Sequence, residues 1–600
     1  MIDPRIHSSR ARTLLMLCIS LWCLLGAAPG SAQPAPNIVL IVVDDAALMD
    51  FGAYGGEAQT PNIDALAQRG ALFTQYRTSP LCAPSRAMLL SGLNNHQTGV
   101  ASIPEILPRD HKGQPGYLMQ LAPGVETIAD RLSERGYRTL MSGKWHLGGE
   151  FSTLPNAHGF DQSFALAASG ADNWEQRSYM PYYAGAPWFE NGHPASLPED
   201  FYSSQFIVDK MIDYIGNTPQ EQAPFFALVA FQAIHIPVQA PAEFVARYQG
   251  VYDQGWDVLR LERWRKAQAL GLIPEGAPLG DMHPSLQRWE TLSADEQRTA
   301  STRMAVNAAM LDAMDHHIGR LLQHLRSKGV LENTVIIVTS DNGPEGSDPT
   351  DQASFKAWAA LTGYNLDDQE TPGERSSYGF IGPEWASAAA SPFSLFKFYT
   401  TEGGIRVPLV ISGPGIAENA RFQQRVMLTD IAPTVFELTG AGALHPPEGA
   451  ITGRSLVPLL RGQVESVYAP DEPIVIEITG NIAVLKGDFK LVRTLGPLGD
   501  GSWRLFDLAR DPGETRDLYT ELPAVAAELL ADYEHYALTQ GVLPVGNDFN
   551  PWQQITINAT LAILSRNAPA FSAIALLTVL LIYTVIRKRR RAGAVPGKRS

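Results

Sequence analysis

Three continuous apolar runs, separated by helical patterns, constrain the fold of this chain more than any other feature. Residues 37–43, 224–232 and 334–339 are rich in Val, Ile, Phe and Thr and lack the polar alternation of a half-exposed strand. Such runs are typical of strands buried on both faces of a sheet. Amphipathic helices are predicted over 125–135 and 302–327. The sequence therefore predicts an α/β fold, with a large mixed, mostly parallel sheet flanked by helices on both faces.

Acidic and amide side chains follow two of these strands directly. Asp44 and Asp45 come after the first strand, and Asp341 and Asn342 come after the last. The carboxyl ends of parallel strands lie along one edge of a sheet, where ligands collect. Oxygen ligands of this kind favour Ca²⁺ or Mg²⁺ over zinc. A single aspartate at a strand end more often caps the next turn, but two such pairs favour a metal site.

The pattern of the sequence changes near residue 453. Beyond it, four short apolar runs between turn residues predict a small antiparallel sheet, followed by a helix near 522–537. The runs cover residues 473–478, 482–486, 490–492 and 503–506. We therefore predict a large α/β domain over 33–453 and a small α+β subdomain over 454–550. Residues 250–300 and 344–396 show no clear period and are predicted to be long inserted loops.

The N-terminal segment has the order of a secretory signal peptide. Three arginines precede an apolar run at 14–25, and small residues follow at 30–32. This order predicts a signal peptide over residues 1–32, cut near Ala32. An uncleaved N-terminal anchor is the alternative, and the short apolar core disfavours it.

The C-terminal segment has nineteen uncharged residues, 568–586, followed by a basic cluster at 587–591. At the helical rise this length nearly matches a bilayer core of roughly 30 Å. We predict a transmembrane helix over 568–586 and a basic cytoplasmic tail over 587–600. The body would then be periplasmic or extracellular and anchored to the cytoplasmic membrane. The alternatives are a buried helix of the globular body and a sorting signal that is removed.

Charge is distributed unevenly along the chain. The net charge is −15, although the tail after Ile586 carries seven basic and no acidic residues and the first 32 residues carry three arginines against one aspartate. The intervening residues 33–586 therefore carry a charge of −24. So acidic a body disfavours nucleic acid and other large polyanions as partners.

Cysteine usage singles out one residue. Cys18 and Cys23 lie in the predicted signal peptide, which leaves Cys82 alone in the predicted mature chain. A lone cysteine in an exported protein needs an explanation, of which a buried apolar thiol is the plainest. A helix predicted to begin near Pro84 would place Cys82 at a helix N-terminus, where developing negative charge is stabilised.

The surroundings of Cys82 resemble a known family. Residues 82–86, Cys-Ala-Pro-Ser-Arg, fit the Cys-x-Pro-Ser-Arg signature of the type I, formylglycine-dependent sulfatases of the alkaline phosphatase superfamily. Five other segments resemble this family in the same order, within about residues 36–540. They are 37–45, 60–64, 143–148 (Gly-Lys-Trp-His-Leu-Gly), 340–343 (Ser-Asp-Asn-Gly) and 397–408. The last segment begins with Lys397 and ends with residues 402–408, Glu-Gly-Gly-Ile-Arg-Val-Pro. The two insertions resemble those of larger bacterial arylsulfatases.

The resemblance implies a modified nucleophile and a metal. Cys82 would be oxidised to formylglycine by a formylglycine-generating maturation enzyme before folding is complete. One Ca²⁺, with Mg²⁺ as the alternative, would be held by residue 82 together with the strand-end ligands Asp44, Asp45, Asp341 and Asn342.

The resemblance also implies roles for the basic residues. Arg86 would orient residue 82, and Lys144 and Lys397 would contact the sulfate group as cationic donors. His146 would act on a hydroxyl of the hydrated formylglycine. His235, within Ile-His-Ile-Pro, would protonate the leaving oxygen. The adjacent His316 and His317 point in different directions on a helix and are predicted to lie on its surface.

The implied reaction is hydrolysis of a small sulfate monoester, an aryl sulfate foremost, to an alcohol or phenol and inorganic sulfate. One hydroxyl of the hydrated aldehyde would attack sulfur, and the other would lose a proton to expel sulfate; a serine lacks that second hydroxyl. A phosphonate or phosphodiester hydrolase on the same scaffold is the first alternative. A non-catalytic, membrane-tethered sulfate-binding protein is the second, and the presence of every matched position disfavours it.

Overall fold

The computed structural model describes residues 35–216, 223–367, 369–442 and 450–592. The predicted signal peptide, 1–32, and the last eight residues of the predicted tail lie outside these ranges. Within them are sixteen strands: β1 Asn37–Val43, β2 Gly70–Phe73, β3 Tyr76–Arg77, β4 Arg138–Lys144, β5 Gln162–Leu166, β6 Trp188–Glu190, β7 His193–Pro194, β8 Phe225–Ala230, β9 Thr334–Ser340, β10 Leu409–Ser412, β11 Ala420–Phe422, β12 Val426–Met427, β13 Ile474–Ile478, β14 Asn481–Lys486, β15 Phe489–Arg493 and β16 Trp503–Asp507.

The same ranges contain fifteen α-helices: α1 Pro61–Gln68, α2 Cys82–Ser91, α3 Asn95–Thr98, α4 Ile128–Glu134, α5 Ser203–Gly216, α6 Ala242–Val245, α7 Trp256–Ala269, α8 Ala294–Ser327, α9 Ala353–Leu361, α10 Gly382–Ala389, α11 Glu402–Ile405, α12 Ile431–Thr439, α13 Val457–Leu460, α14 Pro523–Gln540 and α15 Pro551–Ala592.

Ten of the described strands form one mixed sheet, in the order β11-β2-β10-β9-β1-β8-β4-β5-β6-β7. Its centre, from β9 to β5, is parallel, and antiparallel pairs lie toward both ends. The side chains of alternate β1 residues pack into hydrophobic cores on opposite faces of the sheet. Val39 and Ile41 lie on one face, and Ile38 and Leu40 lie on the other. Helices α5 and α8 cover the first face, and α2 and α12 cover the second. The predicted α/β layering is confirmed.

The register of the central strands brings their carboxyl ends to one edge. Val43 pairs with Ser340, and Val42 pairs with Ala230, which in turn pairs with Gly143. The residues that follow these four strands therefore meet at the same place.

The small C-terminal sheet is β13-β14-β15-β16, antiparallel throughout, and α14 packs against β14 and β15. The four predicted strand runs and the helix after them are confirmed. The domain boundary at residue 453 stays a prediction.

The prediction of irregular insertions is partly wrong. Helix α7 lies inside residues 250–300, and α9 and α10 lie inside 344–396. The buried face of α7 includes Arg263 beside apolar residues. This arginine is paired with Asp50 and Glu57, so a charged residue occupies a core position and hides the helical period.

The C-terminal prediction needs a correction. Residues 568–586 are helical within α15, but none of the helices formed by the described residues is long and apolar enough to cross a membrane. A transmembrane helix at 568–586 is therefore not found.

A buried ion network links β3 and α11 to the small C-terminal sheet. Glu402 accepts hydrogen bonds from Arg77 at 2.7 and 3.0 Å and from Lys490, on β15, at 3.0 Å. Lys490 also contacts Glu514 at 2.8 Å. Burial alone would raise the pKa of Glu402, but the charges of Arg77 and Lys490 hold it well below its usual range.

Replacing Glu402 with alanine is expected to destabilise the protein by about 3–5 kcal/mol, because it leaves the buried Arg77 without its carboxylate partner. Glu332 provides a matched control, since its pair with Arg69 is exposed and Glu332→Ala should cost no more than about 1 kcal/mol. Urea denaturation of both variants measures the difference. Equal midpoints for the two variants would contradict the structural role given to Glu402.

Candidate active site

Four side chains meet at the carboxyl edge of the large sheet. One ligand atom from each of Asp44, Asp45, Cys82 and Asp341 lies within 4.8 Å of the others, and all four residues are buried. The Cys82 thiol donates to Asp44 Oδ1 at 3.4 Å. Asn342 joins the cluster through its Nδ2, which donates to Asp45 Oδ1 at 2.7 Å. The structure thus brings together all five residues predicted as metal ligands.

Local backbone geometry allows this convergence. Asp45 adopts a left-handed conformation with φ of 69°, which is uncommon for a residue with a side chain and is often found at functional sites. Gly343 donates its N–H to Gly404 O at 2.9 Å. A Cβ on Gly343 would lie 2.0 Å from Gly403 O, so only glycine lets the two segments approach this closely.

Three buried cations face the carboxylates. The Lys144 Nζ lies 2.5 Å from Asp44 Oδ2, and the Lys397 Nζ lies 2.8 Å from Asp45 Oδ1. Arg86 donates through Nε to Asp341 at 2.9 Å and through a terminal nitrogen to the Lys144 carbonyl at 2.8 Å. Arg86 therefore fixes the ends of two strands relative to α2.

Burial and mutual repulsion set the protonation of the carboxylates. Burial raises the pKa of Asp44 to about 8, and the neighbouring charge of Asp341 adds to the rise. Burial would also raise the pKa of Asp341, but Arg86 and then Lys144 outweigh it and hold that pKa below its ordinary value. Packing so many carboxylates together is costly without additional positive charge.

Cys82 lies at the N-terminus of α2, as predicted, although the helix begins at Cys82 and not near Pro84. Only 3% of its surface is exposed. The helix N-terminus would favour a thiolate, yet burial raises the pKa of the thiol well above its usual value, and the charge of Asp44 adds to the effect. An unmodified Cys82 is thus a protonated thiol, which is a poor nucleophile.

Two histidines border the cluster. The Nε2 atom of His235 lies 3.8 Å from Asp45 Oδ2, and its Nδ1 is 2.6 Å from Ile236 O. Neither ring nitrogen of the buried His146 has a hydrogen-bond partner among the described residues. Burial, reinforced by neighbouring lysines, lowers the pKa of both rings well below 6.5. Both histidines are therefore neutral in the free protein at neutral pH.

A pocket opens from this cluster. Its polar end is lined by Cys82, His146, His235 and Lys397, and its remaining walls are largely apolar. Lys144, Arg86 and the cluster carboxylates of Asp44, Asp45 and Asp341 are not among the residues that line it. The pair His316-His317 is remote from it: His316 is exposed as predicted, whereas His317 is buried against that prediction and accepts from Arg320.

Two acidic residues of the site were not identified from the sequence. Glu345 contacts the Lys397 Nζ at 2.8 Å, and it could have been suspected because it follows Asn342 by three residues. Glu105 lies 3.8 Å from His146 Nε2 and accepts a 2.5 Å hydrogen bond from Tyr183. No sequence pattern around Glu105 marks it, since its position depends on a loop conformation.

The comparisons with known proteins decide the family. A family model described as Sulfatase matches residues 36–441, and a model described as N-sulphoglucosamine sulphohydrolase, C-terminal, matches residues 394–535. This chain belongs to the sulfatase family. The sulfatase is 34% identical over 539 residues to an uncharacterised sulfatase of Schizosaccharomyces pombe, an alignment that covers 86% of this chain and 95% of the relative. It is 33% identical to an arylsulfatase of Klebsiella aerogenes, covering 73% of this chain and 93% of the relative.

Solved structures show the same fold. A sulfatase from a Pseudoalteromonas species superposes with a TM-score of 0.55 at 21% identity, covering 91% of this chain and 97% of that one. A protein crystallised with a neocarrahexaose superposes with a TM-score of 0.60 at 22% identity, covering 90% and 99%. Family membership and the named relatives identify this sulfatase as a sulfuric ester hydrolase.

Proposed function

We propose that this sulfatase hydrolyses aryl sulfate monoesters with a formylglycine made from Cys82 and one divalent cation. The observation that carries the proposal is the position of Cys82: it lies against Asp44 and Asp45 at the polar end of a largely apolar pocket. The similarity to an arylsulfatase supports an aryl ester as the substrate. Mass spectrometry of the tryptic peptide 78–86 tests the modification, because formylglycine replaces the thiol sulfur with a carbonyl oxygen.

The donor set fits a hard divalent cation. Asp44, Asp45 and Asp341 offer carboxylate oxygens, and the buried Oδ1 of Asn342 has no hydrogen-bond partner among the described residues. Together with residue 82, these groups would hold Ca²⁺, with Mg²⁺ as the alternative. A bound cation supplies positive charge that acidifies an adjacent hydroxyl group.

The basic residues would bind and orient the sulfate group. Lys144 and Lys397 are buried beside residue 82 and, in this structure, are paired with Asp44 and Asp45. A cation bound to these aspartates would compete for their charge, which leaves the lysine ammonium groups for sulfate oxygens. Arg86 would hold residue 82 and Asp341 in register.

The histidines would move protons. His146 has both ring nitrogens unsatisfied and can accept a proton from a hydroxyl on residue 82. His235 would protonate the ester oxygen as the S–O bond breaks. Its pKa is low in the free protein because of burial and the neighbouring lysines. Binding the anionic ester beside the ring raises that pKa toward the protonated form that a general acid requires.

The alternatives are not favoured. A phosphonate or phosphodiester hydrolase would share the carboxylate cluster, but the family and its named relatives are sulfatases. A non-catalytic protein would not need the complete set of titratable groups around Cys82.

We also propose export through a signal peptide at residues 1–32 and oxidation of Cys82 by a maturation enzyme. N-terminal sequencing of the mature protein tests the signal peptide.

Replacing Asp341 with alanine is expected to remove both the bound metal and the activity, because the site loses a carboxylate and Arg86 loses its nearest carboxylate partner. Elemental analysis and an aryl sulfate assay measure the two effects. Asp488, an exposed residue between β14 and β15, provides the control, and Asp488→Ala should keep both properties. A full metal complement in the Asp341 variant would refute the ligand assignment.

A further inference from the structure

The pocket of this sulfatase has a wall that lies outside both matched family models. Helix α15 begins at Pro551, whereas the models end at residues 441 and 535. Its residues Trp552, Ile555, Ala559 and Ile563 line the pocket. Their spacing of three or four residues places them on one face of the helix.

Hydrogen bonds connect the first half of α15 to three segments at the pocket rim. Asn558 donates to the carbonyls of Glu105 and Leu107, each at 3.0 Å. Thr556 donates to Gln352 at 3.0 Å, and Arg566 donates to the Pro181 carbonyl at 2.7 Å. These contacts make the helix a fixed part of the wall.

Other apolar side chains line the same pocket as the α15 face. Phe355 and Trp358 on α9 line the pocket beside Ile555. The Phe398 ring packs at a tilt against Trp552, with 5.1 Å between ring centroids. The same pocket continues to Cys82 and His235. A sulfate bound at the polar end would thus direct the alcohol part of its ester toward the apolar side chains of α9 and α15.

Several polar groups of the rim are turned toward the protein. Ser347 donates to Glu345 at 2.6 Å, and Thr560 donates to the Thr556 carbonyl at 2.8 Å. Asp348 accepts from the backbone and hydroxyl of Thr350. A sugar would have to compete for these groups, and the carboxylates of Glu345 and Asp348 would repel a second sulfate.

We propose that the Trp552–Ile563 face of α15 is a specificity-determining wall, and that the substrates are monosulfates of bulky apolar phenols or alcohols. This inference rests on the proposed function and narrows its substrate class. Apolar area removed from water on binding provides the selectivity, and in a hydrophobic pocket one methylene group is worth about 10–200-fold in kcat/KM.

Phenyl sulfate and 4-cyclohexylphenyl sulfate test the proposal, because their leaving groups differ in apolar area far more than in acidity. The wild-type protein should prefer the larger ester by about 10–100-fold in kcat/KM. Ile555→Ser should reduce that preference by about tenfold. Ile557, on the same helix but 49% exposed and absent from the pocket lining, provides the control, and Ile557→Ser should leave both rates unchanged.

The outcomes separate this inference from the proposed function. If the wild-type protein hydrolyses neither aryl ester, the proposed function fails. The inference alone is wrong if the wild-type protein hydrolyses both aryl esters with equal kcat/KM or prefers glucose 6-sulfate. It is also wrong if Ile555→Ser and Ile557→Ser have the same preference between the two aryl esters. Thermal melting of both variants shows whether the comparison is made between folded proteins.

Discussion

Replacing Cys82 with alanine is expected to lower sulfate-ester hydrolysis by at least about 10⁴-fold, the scale expected when a nucleophile is removed. Alanine carries no group that can be oxidised to an aldehyde, so the attacking hydroxyl that we propose cannot form. The fold should survive, because the side chain is small and its hydrogen bonds are long donations to Asp44 at 3.4 Å and to Asp45 at 3.9 Å. Hydrolysis of an aryl sulfate, with the melting temperature as a check on folding, measures the effect.

Ser91→Ala is a suitable control for the Cys82 variant. Ser91 ends the same helix, is equally buried and donates within that helix to Ala87, so its loss should leave turnover nearly unchanged. Near-normal hydrolysis by the Cys82→Ala protein would remove the basis for a nucleophile at this position.

Replacing His235 with alanine is expected to slow esters of poor leaving groups by about 10²–10⁴-fold more than esters of activated phenols. A nitrophenolate leaves with little protonation, whereas a plain phenol or an alkyl alcohol needs a proton as the S–O bond breaks. A series of aryl sulfates with graded leaving-group acidity, measured on the wild-type and variant proteins, gives the dependence directly.

His146→Ala is the matched comparison for His235→Ala. Its proposed role concerns a hydroxyl on residue 82, so its loss should slow every ester by a similar factor. His316 is exposed and remote from the site, so His316→Ala should leave the rates of the same series unchanged. If the His235 variant loses the same factor in hydrolysis rate for every ester, the general-acid role is wrong. His235 would then have a role in sulfate binding or in the structure.

Much of the fold could be predicted because its central strands are buried on both faces. The run at 37–43 coincides with β1, and the run at 334–339 with all but the last residue of β9. The strand-end residues proposed as metal ligands were predictable for the same reason: they follow these strands directly, and strand ends in a parallel sheet converge. The basic residues needed the family resemblance, since a lone lysine or histidine carries no positional signal.

Features that depend on tertiary contacts could not be predicted. The helical period of α7 could not be recognised in the sequence, because Arg263 occupies a core position. Its ion pairs with Asp50 and Glu57 stabilise the buried charge there. The raised pKa of Cys82 reverses what a helix N-terminus alone would give, because burial is the larger effect. The place of α15 beside the pocket depends on contacts with loops hundreds of residues away.

The pairing of early strands with late ones has a consequence for biosynthesis. Cys82 is enclosed by Asp341 and Lys397, and Lys397 follows it by 315 residues. At about 5–20 residues per second of translation, roughly 15–60 s pass between the synthesis of the two positions. During that interval the segment around Cys82 cannot be enclosed by Lys397, and the maturation enzyme that we propose could reach it as an extended chain. Once folding is complete the thiol is 3% exposed, so we expect that unmodified protein cannot be activated after it has folded.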